Sequence, residues 1–118
     1  MAGNLVEIKK KQNIGVIVPE REIVFENVDL LKQEVKDKIR KEGNIDRLIV
    51  DLKLVTYLDS AGIGFLLSLF KYISERQGKL VLSNINGKVK RIIELTKLDD
   101  VIEVYEDTEQ ALEDLRGI

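Results

Sequence analysis

The residues of this chain with the clearest chemical potential are Tyr57-Leu58-Asp59-Ser60-Ala61-Gly62-Ile63-Gly64. They lie between an apolar run and a long helical pattern, which places the Ser60 hydroxyl at a strand-to-helix turn. Free backbone N–H groups and the positive end of the helix dipole gather there. A hydroxyl in that position can accept an amide hydrogen bond and cap the helix. It can instead carry a phosphate, adding roughly −1.5 to −2 charges. Asp59 competes for the capping role and, as a carboxylate, opposes a phosphate beside it. Gly62 and Gly64 fall in the first turn, where each costs up to about 1 kcal/mol against Ala in a helix interior. Either the helix start packs tightly on a neighbouring strand, or another molecule approaches its backbone closely. The electrostatic effects on the domain are small and partly cancel. A phosphate on Ser60 is therefore expected to act at an interface, where each 1.4 kcal/mol is tenfold in affinity.

Composition narrows the remaining chemistry. The 118 residues suit one domain spanning 1–118, and 44% hydrophobic residues are enough for a core. With only 5% aromatic residues, Leu, Ile and Val must build it. Charged residues reach 34%, but 19 basic and 21 acidic side chains nearly cancel to −2. Such a balance creates no general attraction for nucleic acid or an anionic membrane. The chain has no cysteine, which excludes disulfides and thiolate metal sites, and no histidine, which excludes a Ser-His-Asp triad. No metal or cofactor is expected. Met1 to Glu7 lacks the apolar core of a signal peptide, and Ala61 to Phe70 is too short to span a bilayer. These features lead to the expectation of a cytoplasmic protein.

The elements that must position Ser60 follow from hydrophobic spacing. Val6 and Ile8 alternate with charged residues, Lys10 to Asn13 suits a turn, and Ile14 to Val18 is a second strand stopped by Pro19. Residues 20–26 fit either a strand extension or a packed loop. Asn27 can cap a helix over 28–42 carrying Leu31, Val35 and Ile39, with Gly43 closing it. A near-continuous apolar strand is predicted at 48–55, with Asp51 and Lys53 on its less covered side. The helix from Ser60 to about Gln77 shows one stripe of Ile63, Leu66, Leu67, Phe70 and Ile73, and a second of Phe65, Leu69 and Tyr72. Leu80 to Leu82 is a short strand, Asn86 can cap a third helix, and 101–105 reads as the last strand. Asp107 and Gln110 resemble a capping box opening a final helix. The order ββαβαβαβα predicts a single α/β domain: a mixed, mostly parallel sheet of about five strands with four helices.

Weaker motifs have plainer readings. Asp51 on a strand is similar to the phosphate-accepting aspartate of receiver domains, but Val18-Pro19-Glu20 lacks the acidic pair that would hold Mg²⁺. Gly62-Ile63-Gly64 is a lone G-x-G, and no Walker A sequence is present. Lys9 to Lys11 and Lys88 to Arg91 are basic clusters best read as solvated faces. Asp99-Asp100 lacks further cation ligands in sequence.

In its βαβ context, the strand leading into Asp59-Ser60-Ala61-Gly62 resembles the core of the STAS domain, the module of anti-sigma factor antagonists. Val89, Ile92, Ile93, Leu95-Thr96 and Leu98 resemble that family's third helix and following loop, and Glu109-Gln110-Ala111-Leu112 its last helix. The resemblance implies a non-enzymatic protein that binds an anti-sigma factor serine kinase and so releases a sigma factor. Phosphorylation of Ser60 by that kinase abolishes binding, and a serine phosphatase restores it. It places Leu58, Asp59, Ser60, Ala61, Gly62 and Gly64 on the partner surface, with residues 20–26, Glu22 and Val24 among them, nearby. Asp59 would cap the helix and help the kinase recognise the site. Val24 stands where family members commonly carry an acidic residue, and Thr96-Lys97 replaces the more usual Thr-Gly. A monomer or weak dimer is expected. The alternative is a STAS scaffold subunit of a stress-signalling assembly, or the STAS subunit of a transport system.

Overall fold

The computed structural model describes residues 6–11 and 13–117, with side chains described from Asn13 onward. The expected absence of a leader in the first residues and the basic cluster at Lys9 to Lys11 fall outside the described residues or side chains. The elements run β1 (Val6–Lys11), β2 (Ile14–Pro19), α1 (Val28–Glu42), β3 (Arg47–Asp51), α2 (Ser60–Glu75), β4 (Lys79–Ser83), α3 (Gly87–Leu95), a short 3₁₀ turn (Leu98–Asp100), β5 (Val104–Tyr105) and α4 (Thr108–Arg116). They form one five-stranded sheet in the order β1-β2-β3-β4-β5. β1 pairs antiparallel with β2, and the other three pairings are parallel. Each parallel pair is joined by a crossover helix, as parallel neighbours require.

Side-chain alternation divides the core between the two faces of the sheet. Ile17, Leu48, Val50, Leu80 and Leu82 point to the face covered by α1, α2 and α3. Ile14, Val16, Val18, Ile49 and Val81 point to the other, where α4 sets Ala111, Leu112 and Leu115 against them. α1 buries Leu31, Val35 and Ile39, a stripe at i, i+4, i+8. Each such fully buried aliphatic side chain contributes about 1.5–3 kcal/mol of hydrophobic stabilisation. Within the described residues, no helix is long and apolar enough to cross a membrane.

Several local expectations shift. β3 ends at Asp51 rather than at 55, because Leu52, Val55 and Leu58 are buried from a loop. Apolar residues there record burial, not strand pairing. β5 is two residues long, and Ile102 is buried just ahead of it. The α2 stripes also regroup: Gly62, Phe65, Leu66, Leu69 and Ile73 form the buried face, while Leu67 is exposed. The larger correction concerns Asp51. It is 2% exposed, sealed beneath α4 rather than on a less covered side.

Candidate functional site

Asp59, not Ser60, caps α2. Its Oδ1 accepts from the Gly62 N–H at 2.9 Å, with the backbone in the extended conformation usual for a cap. Oδ2 reaches out of the helix and accepts from the Phe25 N–H at 3.0 Å. These two amides, Phe25 first, hold the Asp59 carboxyl below the usual carboxylate range. Ser60 is thereby released from capping. It is the first residue of α2, exposed, and its hydroxyl has no hydrogen-bond partner among the described residues.

The segment ahead of α1 is fastened to this helix start. Ile23 is fully buried, and its N–H donates to the Tyr57 carbonyl at 3.0 Å within a parallel bridge to Leu58. Asn27 does not cap α1 with its side chain, as its position suggested. Its Oδ1 instead accepts from the Val24 N–H at 3.0 Å, and its Nδ2 donates to the Glu22 carbonyl at 2.8 Å. This local bonding is the competition that draws Asn side chains out of helices. Glu22 is exposed and Val24 half-buried, on either side of Ile23, which bridges to Leu58. Phe25 is 76% exposed and Tyr57 43% exposed, and these two aromatic side chains project from the residues that hold Asp59 and Ile23. Phe25 lies in the 20–26 segment expected near this surface, but its contact with Asp59 and the exposure of its ring were not legible from an apolar residue in an ambiguous segment.

The two glycines of the first turn have different reasons. A Cβ on Gly62 would lie 2.1 Å from the Ile23 carbonyl oxygen, far inside contact distance. Gly62 is therefore required by packing. A Cβ on Gly64 would meet nothing within 4 Å. Gly64 faces an open groove of about 130 Å³ between the helix starts, lined by Val28, Asp29 and Lys32 of α1 and Ala61, Gly64 and Phe65 of α2. Leu58 lies beneath, 2% exposed, supporting the turn rather than its surface.

A second polar cluster lies at the same end of the sheet but under α4. Asp51 Oδ1 accepts from the Lys53 N–H at 3.0 Å and Asn84 Nδ2 at 3.1 Å. Its Oδ2 accepts from Thr108 Oγ1 at 2.9 Å, and Lys53 Nζ lies 3.7 Å away. Thr108 Oγ1 is 2.7 Å from the Ser83 hydroxyl and accepts from Asn84 Nδ2 at 3.1 Å. The cluster borders a cavity of about 400 Å³ floored by Val16, Val18 and Leu112. Its inner polar atoms are paired with one another, which makes it a fastening between the sheet and the first residue of α4. Among the described residues, no cluster of acidic or other ligating side chains is placed to hold a metal ion. Asp99 and Asp100 are exposed on the 3₁₀ turn, and Lys88, Lys90 and Arg91 are exposed on α3.

Comparisons with known proteins agree with this fold. The sequence model described as the STAS domain matches residues 6–111. A Thermotoga maritima protein, provisionally named an anti-sigma factor antagonist, is 30% identical over 104 residues, 88% of this chain and 91% of that protein. The crystal structure of a T. maritima protein of the same provisional description superposes with a TM-score of 0.86 at 29% identity, covering 94% of each chain. The Bacillus cell-fate determinant SpoIIAA, solved in its phosphorylated form, shares the fold at a TM-score of 0.68 and 15% identity, with 93% of this chain and 98% of that one covered.

Proposed function

This chain belongs to the STAS domain family, and we propose that it acts within that family as an anti-sigma factor antagonist. It binds an anti-sigma factor with serine-kinase activity, frees the sigma factor, and loses that binding when Ser60 is phosphorylated. A serine phosphatase reverses the change. The chain itself carries out no reaction. The observation that carries this reading is the division of labour at the start of α2. Asp59 makes the capping bond, leaving the Ser60 hydroxyl exposed and uncommitted on a rim bearing Phe25 and Tyr57.

The energetics suit a binding switch. A dianion at the first helical position is favoured by the dipole by about 0.3–1 kcal/mol and opposed by adjacent Asp59, so the sheet and helices have little reason to rearrange. Set against an apolar or acidic partner surface, the same charge costs several kcal/mol. The relatives named above support the role, and the phosphorylated form of SpoIIAA supports a phosphate on this fold.

The test is affinity capture from host lysate with added ATP or ADP, using wild type, Ser60→Ala and Ser60→Asp as baits. A kinase of the ATPase fold is expected on wild type and Ser60→Ala, with at least roughly tenfold less on Ser60→Asp. Equal retention by wild type and Ser60→Asp would sink the switch.

A further inference from the structure

We infer that Asp59 is a positioning residue that holds the Phe25 segment to α2, and that a phosphate on Ser60 acts on Phe25 through it. The inference rests on the antagonist reading for its biological use, but its geometry stands alone. The two carboxylate oxygens have separate tasks: Oδ1 takes the Gly62 N–H at 2.9 Å and Oδ2 the Phe25 N–H at 3.0 Å. One side chain thus joins the helix that carries Ser60 to a segment separated from it by α1 and β3.

At Phe25 itself, the bond to Asp59 is the link between this segment and α2. Ile23 anchors one end of the segment by burial and by its bond to Tyr57. Asn27 fastens the segment to itself through Val24 and Glu22, and the Val24 carbonyl accepts from the Asn27 and Val28 N–H groups at 2.9 and 3.0 Å, joining it to the start of α1. Phe25 lies between these points with its ring 76% exposed, so side-chain packing does little to fix it. The turn from Val24 to Val28 shapes its backbone locally, and the bond to Asp59 is what joins its N–H to α2. An exposed aromatic ring on a pre-set backbone is the kind of group that anchors protein interfaces.

A phosphate on Ser60 would meet Asp59 in two ways. The charges repel along adjacent residues. The phosphate oxygens also compete for the first-turn N–H groups that Asp59 Oδ1 now uses. Either effect turns the Asp59 side chain and withdraws Oδ2 from Phe25. Phosphorylation then does more than add charge, because it also frees the Phe25 N–H from α2.

Asp59→Asn separates the two tasks. Asn caps helices as well as Asp does, so its single carbonyl oxygen can keep the Gly62 bond. Its other terminal group is an NH₂, which cannot accept from Phe25. The experiment is ¹⁵N NMR with amide hydrogen exchange on the isolated chain: wild type, Asp59→Asn, and the chain with phosphoserine genetically encoded at position 60. In Asp59→Asn the Phe25 amide is expected to move upfield and exchange roughly tenfold faster, the consequence of losing a charge-assisted bond, while the Gly62 amide keeps its protection. The phosphoserine chain is expected to show the same change at Phe25. An unmoved Phe25 amide in Asp59→Asn would overturn the positioning role, and an unmoved one in the phosphoserine chain would overturn the transmission. A residue serving only as a helix cap would leave Phe25 silent in the Asn variant. Should that variant fail to fold, Asp59→Ser makes the same separation, since its hydroxyl caps but is too short to reach Phe25. No partner is present, so this result and the outcome of lysate capture are independent.

Discussion

Two aspartates leave the same end of β3 and take opposite roles. Asp51 is the last strand residue, 2% exposed, and is surrounded by Lys53, Asn84 and Thr108. Asp59 lies at the end of the following loop, half-buried, and binds only backbone amides. The first fastens α4 to the sheet and leaves no polar atom of its own to offer. The second takes over a task that Ser60 could have performed and leaves that hydroxyl exposed. A cluster closed on itself serves the fold, whereas the cap by Asp59 relieves the neighbouring Ser60 hydroxyl of structural work.

The comparison breaks most visibly at Asp51. Asp51→Ala is expected to cost about 1–3 kcal/mol, because Asn84 and Thr108 lose the hydrogen bonds that Asp51 accepts. Chemical denaturation checks this, and a loss below about 1 kcal/mol would show that water replaces the carboxylate. Partner binding should fall no more than stability requires.

Next come the glycines. Gly62→Ala drives a methyl into the Ile23 carbonyl and is expected to destabilise by about 1–3 kcal/mol. Gly64→Ala faces open space and is expected to stabilise by up to about 1 kcal/mol, by raising helix propensity. Thermal melts of the pair measure the difference. If both variants lose stability, the groove beside Gly64 is tighter than its geometry indicates. If both gain, the 22–25 segment yields readily.

The smallest effect is the pH response of Asp59. Its folded pKa is lowered by the Phe25 and Gly62 amides. The stability it contributes is therefore present above the unfolded value of about 3.9, and is lost as pH falls through the folded one. Asp59→Ala, expected to be less stable than wild type at neutral pH, should converge with wild type as acid titrates the carboxylate. A constant gap between the two melting curves down to the most acidic condition would assign the cost to something other than the charge.

Much of this was legible in sequence because it is local. The spacing of Leu31, Val35 and Ile39 marks α1, and Asp107 ahead of Gln110 marks the start of α4, where the Asp107 carboxylate accepts from the Gln110 N–H at 2.9 Å. The hairpin is visible in the alternation of β1 and the stop at Pro19. Residues 57–64 point to Ser60 through residue type and position alone. The misplaced features share a cause: periodicity reports burial without naming what does the burying. Leu52, Val55 and Leu58 are apolar inside a loop, and Phe25 is apolar in the open.

By itself the sequence determined the order of elements, the parallel α/β architecture, and a serine with two glycines at the first turn of α2. These follow from hydrophobic period and backbone preference, which act over a few residues. Tertiary structure alone decided which side chain caps α2, why Gly62 must be glycine while Gly64 need not be, and that Asp51 lies under α4. It also decided that Phe25 shares a rim with Ser60. Each of these depends on a contact between segments distant in the chain, such as Phe25 with Asp59, Ile23 with Gly62, and Asp51 with Thr108. No local preference specifies such a contact. It exists only once the sheet has brought the loops at one end of its strands together.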